Sequence, residues 1–594
     1  MGRGADGMAR IACGRPGTCV SLNALGSDGK QLLSDPMQAL LSLGLSPKQD
    51  EVSRVLSVEL SRWRANPKQA TVVFSGLARN RLPYIAKQVL TAMLESSVQA
   101  NVFHYSTVIS ACEKAGQWQL ALGLLDNMQE LRVFPNEFSL NAAISACSKG
   151  CQWRCALSLL SDMPGMMVTS DEISYSATIS ACEKGGEWQL ALSLLGKMIE
   201  THVMPNEISY GSAISACSRG GQWQLALSLL GDMPQMRAIP NEITYSAAIS
   251  ACEKGDKWQV AVALLSIMPE IHVLPNEISY NAAISACEKG GRWQIALSLL
   301  NDMPCMRATP DEISYSATIS ACEKGGQWQL ALCLLSSMPS TSLVPDEINY
   351  NAAISACEKG AQWQLALGLL TSMPEMKATP DRISYSATIS ACSTGGQWQL
   401  ALSLLSEMPT MRVAPKQISY NAAISACEKG GQWQLALIIL GDMAEVMVAP
   451  NAISYNAAIS ACEKGAQWEV ALRLLEQMSE AGVVPNEISY NAAISACEKG
   501  GQWQLAVNLL ADMPRAGLTP NTISIRAALI ACDKGCQWQL AVGLLANLSD
   551  MRAAPDEISY DAAVNACQKG GQRHLLPSLL SGMQSSTTAL FALL

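Results

Sequence analysis

Between residues 487 and 521 the apolar positions form two helical stripes separated by a break. Tyr490, Ala493, Ile494 and Cys497 recur at i, i+3, i+4 and i+7, the spacing that puts side chains on one face of an α-helix. Gly500 and Gly501 interrupt the pattern, and Trp503, Ala506, Val507, Leu510 and Met513 resume it. The spacing predicts two helices, A and B, joined by a tight turn. Pro514 removes a backbone donor and crowds the preceding turn, so helix B is predicted to end near Met513. Pro520 then lies in the connection, and Asn521 after it is suited to cap the next helix A.

The same two stripes recur along the chain. Thirteen of the fourteen tryptophans, Trp118, Trp153, Trp188 and onward to Trp538, are spaced 35 residues apart without insertion or loss. Residues 102–591 divide into fourteen copies of 35, and eight of them carry a Pro equivalent to Pro514. Residues 67–101 read as a degraded copy, with Ala86, Leu90, Met93 and Asn101 still in phase. Residues 1–66 are not repetitive, and 592–594 form a tail. A unit of this size cannot bury its own apolar face and depends on its neighbours. The expected fold is therefore an all-α, right-handed α-solenoid superhelix of stacked antiparallel helix pairs, although the spacing by itself is compatible with either hand.

Composition narrows the function. Apolar types make up 49% of the 594 residues and charged types 15%, which excludes a mainly disordered chain. The longest apolar runs, such as Leu435 to Leu440, are far below the ~20 residues of a membrane span. The formal net charge of -9 opposes a simple polycation, so any nucleic-acid contact must come from local placement of charge. Fourteen of the 21 cysteines, Cys112, Cys147, Cys182 and on to Cys567, follow the 35-residue period along helix A. They read as small buried residues in a reducing compartment and not as a disulfide framework.

The run Glu487-Ile-Ser-Tyr-Asn-Ala-Ala-Ile-Ser-Ala-Cys-Glu-Lys-Gly-Gly-Gln-Trp-Gln-Leu-Ala-Val-Asn-Leu-Leu-Ala-Asp-Met, closed by Gly517-Leu-Thr-Pro-Asn521, resembles the pentatricopeptide repeat family in its P-type, 35-residue form. The likeness covers about 490 of the 594 residues. It departs from the family pattern in the Trp that opens helix B, in the Pro near the end of helix B, and in a connection that rarely carries Lys-Gly.

The resemblance implies binding of single-stranded RNA at one nucleotide per copy. The base would be read by the residue after the helix A Tyr and by the last residue of the copy, with the Ile near the start of helix A against the base. Carried over on that basis, Ser106 with Asn136, Ser176 with Asn206 and Ser246 with Asn276 imply adenosine. Asn141 with Asp171, Asn281 with Asp311 and Asn351 with Asp381 imply uridine, and Ser316 with Asp346 implies guanosine. Asn421 with Asn451, Asn456 with Asn486 and Asn491 with Asn521 imply pyrimidines, cytidine first. Gly211, Lys416, Arg526 and the pair Asp561 with Phe591 fit no usual pairing. The implied target is A-U-A-N-A-U-G-U-N-Y-Y-Y from 5′ to 3′. The competing reading is that each Asn or Asp before a helix is simply its N-cap, worth about 1 kcal/mol.

A second signal comes from cations near the end of helix A: Lys114, Lys149, Lys184, Arg219, Lys254, Lys289, Lys324, Lys359, Lys429, Lys464, Lys499, Lys534 and Lys569, with Thr394 the one exception. One cation per copy matches one phosphate per nucleotide, while a cation there also complements the helix C-terminus. Ten of them follow an acidic residue, as in Glu358-Lys359. Neighbours in sequence point about 100° apart on a helix, so the acid need not share the cation's direction. The Trp ladder lies on the helix B stripe and reads as core before it reads as a stacking platform.

Four scattered histidines, His104, His202, His272 and His574, offer no zinc site. Cys147, Cys151 and Cys155 are close in sequence, but the turn at Gly150 intervenes. A deaminase motif is missing, since Pro304-Cys305 lacks the second Cys and the His. Neither catalysis nor a cofactor is expected. Arg3, Arg10 and Arg15 against Asp6 and Asp28 faintly resemble a transit peptide. The leading expectation is a non-enzymatic, sequence-selective RNA binder acting in processing, stabilisation or translation of a chloroplast or mitochondrial transcript, with other RNA-processing proteins as further partners. The alternative is a protein-interaction scaffold of the tetratricopeptide type.

Overall fold

The computed structural model describes residues 35–44, 48–550 and 557–572. The segment 1–34, Arg573, Phe591 and the tail 592–594 lie outside the described residues. The chain forms two compact units, 1–251 and 252–594. In each unit the regular elements of the described residues are all helices, arranged as a helical repeat array.

In the first unit, helices Val102–Ala115, Glu137–Lys149, Glu172–Gly185 and Glu207–Arg219 are A helices, and Trp118–Glu130, Trp153–Asp162, Trp188–Glu200 and Trp223–Asp232 are their B partners. The degraded copy folds as Ala70–Arg79 and Pro83–Glu95. One more pair precedes it: Asp35–Ser42 packs on Ala70–Arg79, and Gln49–Ala65 packs on Pro83–Glu95. The sequence shows no repeat there, because Trp63 is out of phase with the Trp ladder, but Met37, Leu40, Leu56 and Trp63 are buried as in any other pair.

The second unit continues the pattern, for example with Glu347–Lys359 and Trp363–Ser372, then Arg382–Thr394 and Trp398–Thr410. From Glu312–Lys324 to Thr522–Lys534 every A helix packs on the A helices before and after it and on two B helices, its own and the preceding one. Ile354, Cys357, Ala366 and Met373 are fully buried, so burial of each copy's stripe is completed by its neighbours.

Local chemistry sets the boundaries. Asp381 caps its helix by accepting from Ile383 N and Ser384 N, both at 2.9 Å, while Ser384 Oγ accepts from Asp381 N at 2.8 Å. Such reciprocal caps hold two of the donors that every helix start leaves free. At the other end, Gln362 N donates to Cys357 O at 2.9 Å around a left-handed residue, a Schellman closure. That residue is Gly501 (φ +71°) in one copy and Ala361 (φ +54°) in another.

The glycine just before it is required for a different reason. A Cβ on Gly360 would come within 3 Å of the Trp328 ring of the preceding copy, and Gly500 stands in the same relation to Trp468. The Trp ladder thus forms a lock between copies, each indole seated on the bare backbone of the next helix A end. The rings are only partly covered: Arg154 lies 5.0 Å from the Trp153 ring centre, and Arg292 5.0 Å from that of Trp258.

Helix B does not stop at Met513. It runs from Trp503 to Arg515 with Pro514 inside it, and Pro269 and Pro409 sit inside their helices in the same way. Proline φ is already helical, and in a last turn the only loss is one hydrogen bond. In the copies with Pro164, Pro234, Pro304 and Pro339 the α-helix ends two residues before the Pro, and a 3-10 turn follows.

Candidate functional site

The core takes one stripe of each A helix and leaves another uncovered. In the first unit that second stripe lines a groove of about 650 Å³ whose walls include Arg79, Phe103, Ser106, Lys114, Asn136 and Asn141. A second recess of about 290 Å³ holds Glu183, Ile208, Gly211 and Asn241. In the first of these the post-Tyr residues Ser106 and Asn141, the end-of-copy residues Asn136 and Asp171 and the cations Arg79 and Lys114 share one surface. Arg79 extends the row by one copy. It stands 35 residues before Lys114, and that register was the signal that could have found it.

Beside each polar position an apolar side chain is left in solvent. Ile173, Ile208, Ile278, Ile348, Ile418 and Ile488 are all more than half exposed. Their equivalents Phe103 and Phe138 are likewise exposed. A row of this kind, spaced one per copy, is not what a solenoid leaves open by chance.

The post-Tyr residue and the last residue of the same copy meet directly, although they are 30 positions apart. Ser106 Oγ donates to Asn136 Oδ1 at 3.2 Å, and Ser176 Oγ to Asn206 Oδ1 at 3.3 Å. Asn141 Nδ2 reaches both Asp171 carboxylate oxygens at 3.1 Å, and Asn281 Nδ2 both oxygens of Asp311 at 3.0 Å. Asn351 donates to Asp381 at 3.2 Å, Asn421 to Asn451 at 3.2 Å, Asn456 to Asn486 at 3.1 Å and Asn491 to Asn521 at 3.4 Å.

The capping role is equally real, because Asn136, Asp171, Asn206, Asp311, Asn451, Asn486 and Asn521 all cap the next helix A. One side chain does both jobs, so the cap fixes the orientation of the pair. Ser246 donates to the Glu242 carbonyl at 2.7 Å, and Asn276 caps Glu277–Lys289.

The three Asn-Asp pairs share a feature in one atom. Asn141, Asn281 and Asn351 each keep a buried Oδ1 with no partner among the described residues, as does Asn491. In two of the three Asn-Asn pairs that oxygen is used: Ser454 Oγ donates to Asn421 Oδ1 and Ser489 Oγ to Asn456 Oδ1, both at 2.6 Å. An unsatisfied buried acceptor carries a desolvation penalty.

Two copies depart from the pattern. Ser316 is not joined to Asp346 among the described residues. Instead it accepts from Asn349 Nδ2 at 2.6 Å and donates to Glu312 O at 2.5 Å. Asn349 stands where the other copies, apart from His104 in the first, have Ser or Thr, and its longer amide reaches across. In the copy ending at Lys416, Ser386 shares a hydrogen bond with Ser419 at 2.7 Å, and Lys416 makes no side-chain cap.

Carboxylate chemistry adds detail at Asp171. Burial pushes its pKa up, but hydrogen bonds from Glu137, from Ser174 and from Asn141 outweigh that and hold it below the ordinary aspartate value. Glu137 is held above its usual value, chiefly by the same hydrogen bond to Asp171. Of the two, Glu137 is the first to take up a proton as pH falls.

The acids preceding the cations do share the groove. Lys149 Nζ lies 3.0 Å from Glu113 of the copy before, Lys289 3.1 Å from Glu253, Lys324 3.0 Å from Glu288, and Lys359 2.9 Å from Glu323. Lys464, Lys499, Lys534 and Lys569 pair in the same way with Glu428, Glu463, Glu498 and Asp533, and Arg219 is 3.6 Å from Glu183. The 100° between an acid and the lysine next to it aims the acid at the following copy and the lysine at the preceding one. Burial pushes the Glu183 pKa up despite Arg219.

Stacked helix pairs with a fixed 35-residue period define an α-solenoid repeat protein. Within that class, the PPR repeat family is matched over residues 100–149, 275–324 and 450–499. The pentatricopeptide repeat domain is matched over 158–220, 228–292, 369–429 and 403–464, and the PPR repeat over 138–167, 208–237, 313–341 and 488–518. The chain belongs to the pentatricopeptide repeat family. No curated protein matches it.

Among solved structures, the pentatricopeptide repeat protein PPR10 from maize is similar at 19% identity, over 94% of this chain and 95% of that one, with a TM-score of 0.56. The PPR domain of Arabidopsis thaliana protein-only RNase P 1, solved in complex with tRNA, is 17% identical over 30% of this chain and 95% of that one, at a TM-score of 0.28. Yeast Rmd9p in complex with 16nt target RNA is 9% identical over 77% and 96%, at 0.31. Among the described residues no helix is long and apolar enough to cross a membrane, and no His, Cys, Asp and Glu cluster could hold a metal ion.

Proposed function

We propose that the chain binds single-stranded RNA, one nucleotide per copy, without catalysing a reaction on it. The observation that carries this is the polar pair found in eight copies: two side chains 30 positions apart, joined to each other and flanked by an exposed Ile or Phe, in register with the 35-residue period. A flat base fits between successive Ile side chains, and its edge meets the pair. Each pair joins side-chain donors and acceptors of the kind that read a base edge.

By this reading the base-contacting residues are the pairs from Ser106 with Asn136 to Asn491 with Asn521, and the cation row lies beside the strand's phosphates. The setting is a chloroplast or mitochondrial transcript, and the role is processing, stabilisation or translation. Localisation of the tagged full chain tests the setting.

The decisive experiment is a change of preference. Wild type should bind AUAAAUGUACCC more tightly than a variant with the sixth base changed to A. The double substitution Asn281→Ser with Asp311→Asn should reverse that order, since a good pair discriminates by ~1–3 kcal/mol. Binding that ignores the sixth base in both proteins would refute the pairing. Absence of RNA binding altogether would favour the protein-interaction scaffold.

A further inference from the structure

The cation row is uneven in a way that sequence spacing hides. We propose that the Glu or Asp of each preceding copy keeps most of these cations out of phosphate binding, so that an RNA strand is anchored where that carboxylate is missing: at Lys184 and Lys429 foremost, with Lys114 and Lys254. The proposal rests on the RNA-binding reading above and specifies which of its cations act.

The acids of the ladder are well covered, with side-chain exposures of 14–26% against 37–48% for their cations. A phosphate that drew Lys359 away would leave Glu323 half-buried without its partner, and truncating one side of such a pair is costly for that reason. An approaching strand therefore meets neutral pairs along most of the row.

Three positions break the ladder on the acid side. Ser148 stands where Glu113 does one copy earlier, so Lys184 has only a hydroxyl at 3.4 Å. Ser393 takes the same place ahead of Lys429. Lys114 shares its groove with Arg79 and Ala78, not with an acid from the degraded copy. Ser218 stands at the same place ahead of Lys254.

One position breaks the ladder on the cation side. Thr394 replaces the lysine, and Glu358 is bonded to Ser390 Oγ at 2.6 Å instead. That copy presents a spare carboxylate to the strand. The result is a row with cationic anchors in the copies 172–206 and 417–451 and a neutral-to-acidic stretch between 312 and 394.

The test is the salt dependence of binding by the full chain to the RNA AUAAAUGUACCC. For single strands the slope of log K against log salt is about −0.7 per phosphate neutralised. Thirteen acting cations would give a slope of about −9, and four a slope of about −3. We expect about −3 for wild type. Lys184→Ala and Lys429→Ala should each flatten it by about 0.7. Glu323→Gln, which frees Lys359, should steepen it by the same amount, and Glu323→Gln with Lys359→Ala should leave it unchanged. All four variants keep the Trp–Gly seams, and circular dichroism confirms their fold. A wild-type slope near −9, with Lys359→Ala costing as much as Lys184→Ala, overturns the inference and leaves RNA binding standing. A chain that does not bind this RNA or a randomised single-stranded pool at low salt overturns both.

Discussion

Gly360→Ala is the sharpest perturbation of the seam between copies. Gly360 ends its helix at φ −82° and ψ 3°, a conformation any residue adopts. On backbone grounds alone, alanine should stabilise by about 0.4–1 kcal/mol through the unfolded chain. The new Cβ, however, falls within 3 Å of two Trp328 ring atoms. Those atoms belong to a rigid ring and not to the free end of a flexible chain, so the indole must swing or the helix must move. Overpacking of that kind costs about 1–3 kcal/mol, and the net expectation is destabilisation by roughly 1–2 kcal/mol.

The cost belongs to the pair and should vanish when the ring is removed. With Trp328→Leu in place, adding Gly360→Ala should be neutral or favourable, a coupling of at least about 1 kcal/mol in a double-mutant cycle. Gly431→Ala is the contrasting case. Its φ is +68° and nothing lies within 4 Å of an added Cβ. Its cost should be the left-handed penalty of about 1–2 kcal/mol, with no dependence on Trp328. Repeat arrays unfold in parts, so the readout should be local as well as global. Hydrogen exchange at Gln362 N, which donates to Cys357 O at 2.9 Å, should quicken about tenfold per 1.4 kcal/mol, beside a urea titration. If Gly360→Ala stabilises, or costs the same with Leu at 328, the lock is not an energetic unit.

Three further outcomes follow from single residues. Lys416→Asn should supply the cap that helix Gln417–Lys429 lacks. It should raise stability by about 1 kcal/mol in urea and confer adenosine preference on the ninth copy by completing a Ser-Asn pair with Ser386. Asn349→Ser should release Ser316, whose hydroxyl is now held by Asn349 and Glu312. Selectivity for G at the seventh base, weak in wild type, should then appear in competition binding. Burial pushes the helix A thiols up, Cys112 and Cys147 to about 12 and Cys322, Cys357, Cys427 and Cys497 to about 11. Raised folded values favour the protonated state. Their contribution is therefore fully present below pH ~9 and lost as pH rises toward those values, which an alkaline unfolding titration would show. At pH 8 alkylation should mark the exposed Cys151, Cys305, Cys333 and Cys536 before any of the buried ladder.

What could be read from the amino-acid order was whatever repeats. Periodicity placed both helices of the copies from 102 to 550, the turn between them and the capping Asn or Asp, because each follows from local spacing and side-chain chemistry. The pair at 35–65 escaped because packing conserves burial and not identity: Trp63 and Leu56 fill the core without keeping the register. Helix B ran past Met513 because a proline in a last turn forfeits only one hydrogen bond. The joining of Asn141 to Asp171 was implied by resemblance alone, since a 30-residue separation has no local signature. The acid ladder was harder still. Glu358-Lys359 looks like a neutral dipeptide in sequence, yet each member answers to a different neighbour, Lys359 to Glu323 behind it and Glu358 to the missing cation at Thr394 ahead. Whether a lysine is available to a ligand thus depends on the residue 36 positions earlier. In a solenoid that distance is a single step between adjacent helices, so the row of charges must be read copy against copy before any cation is counted as free.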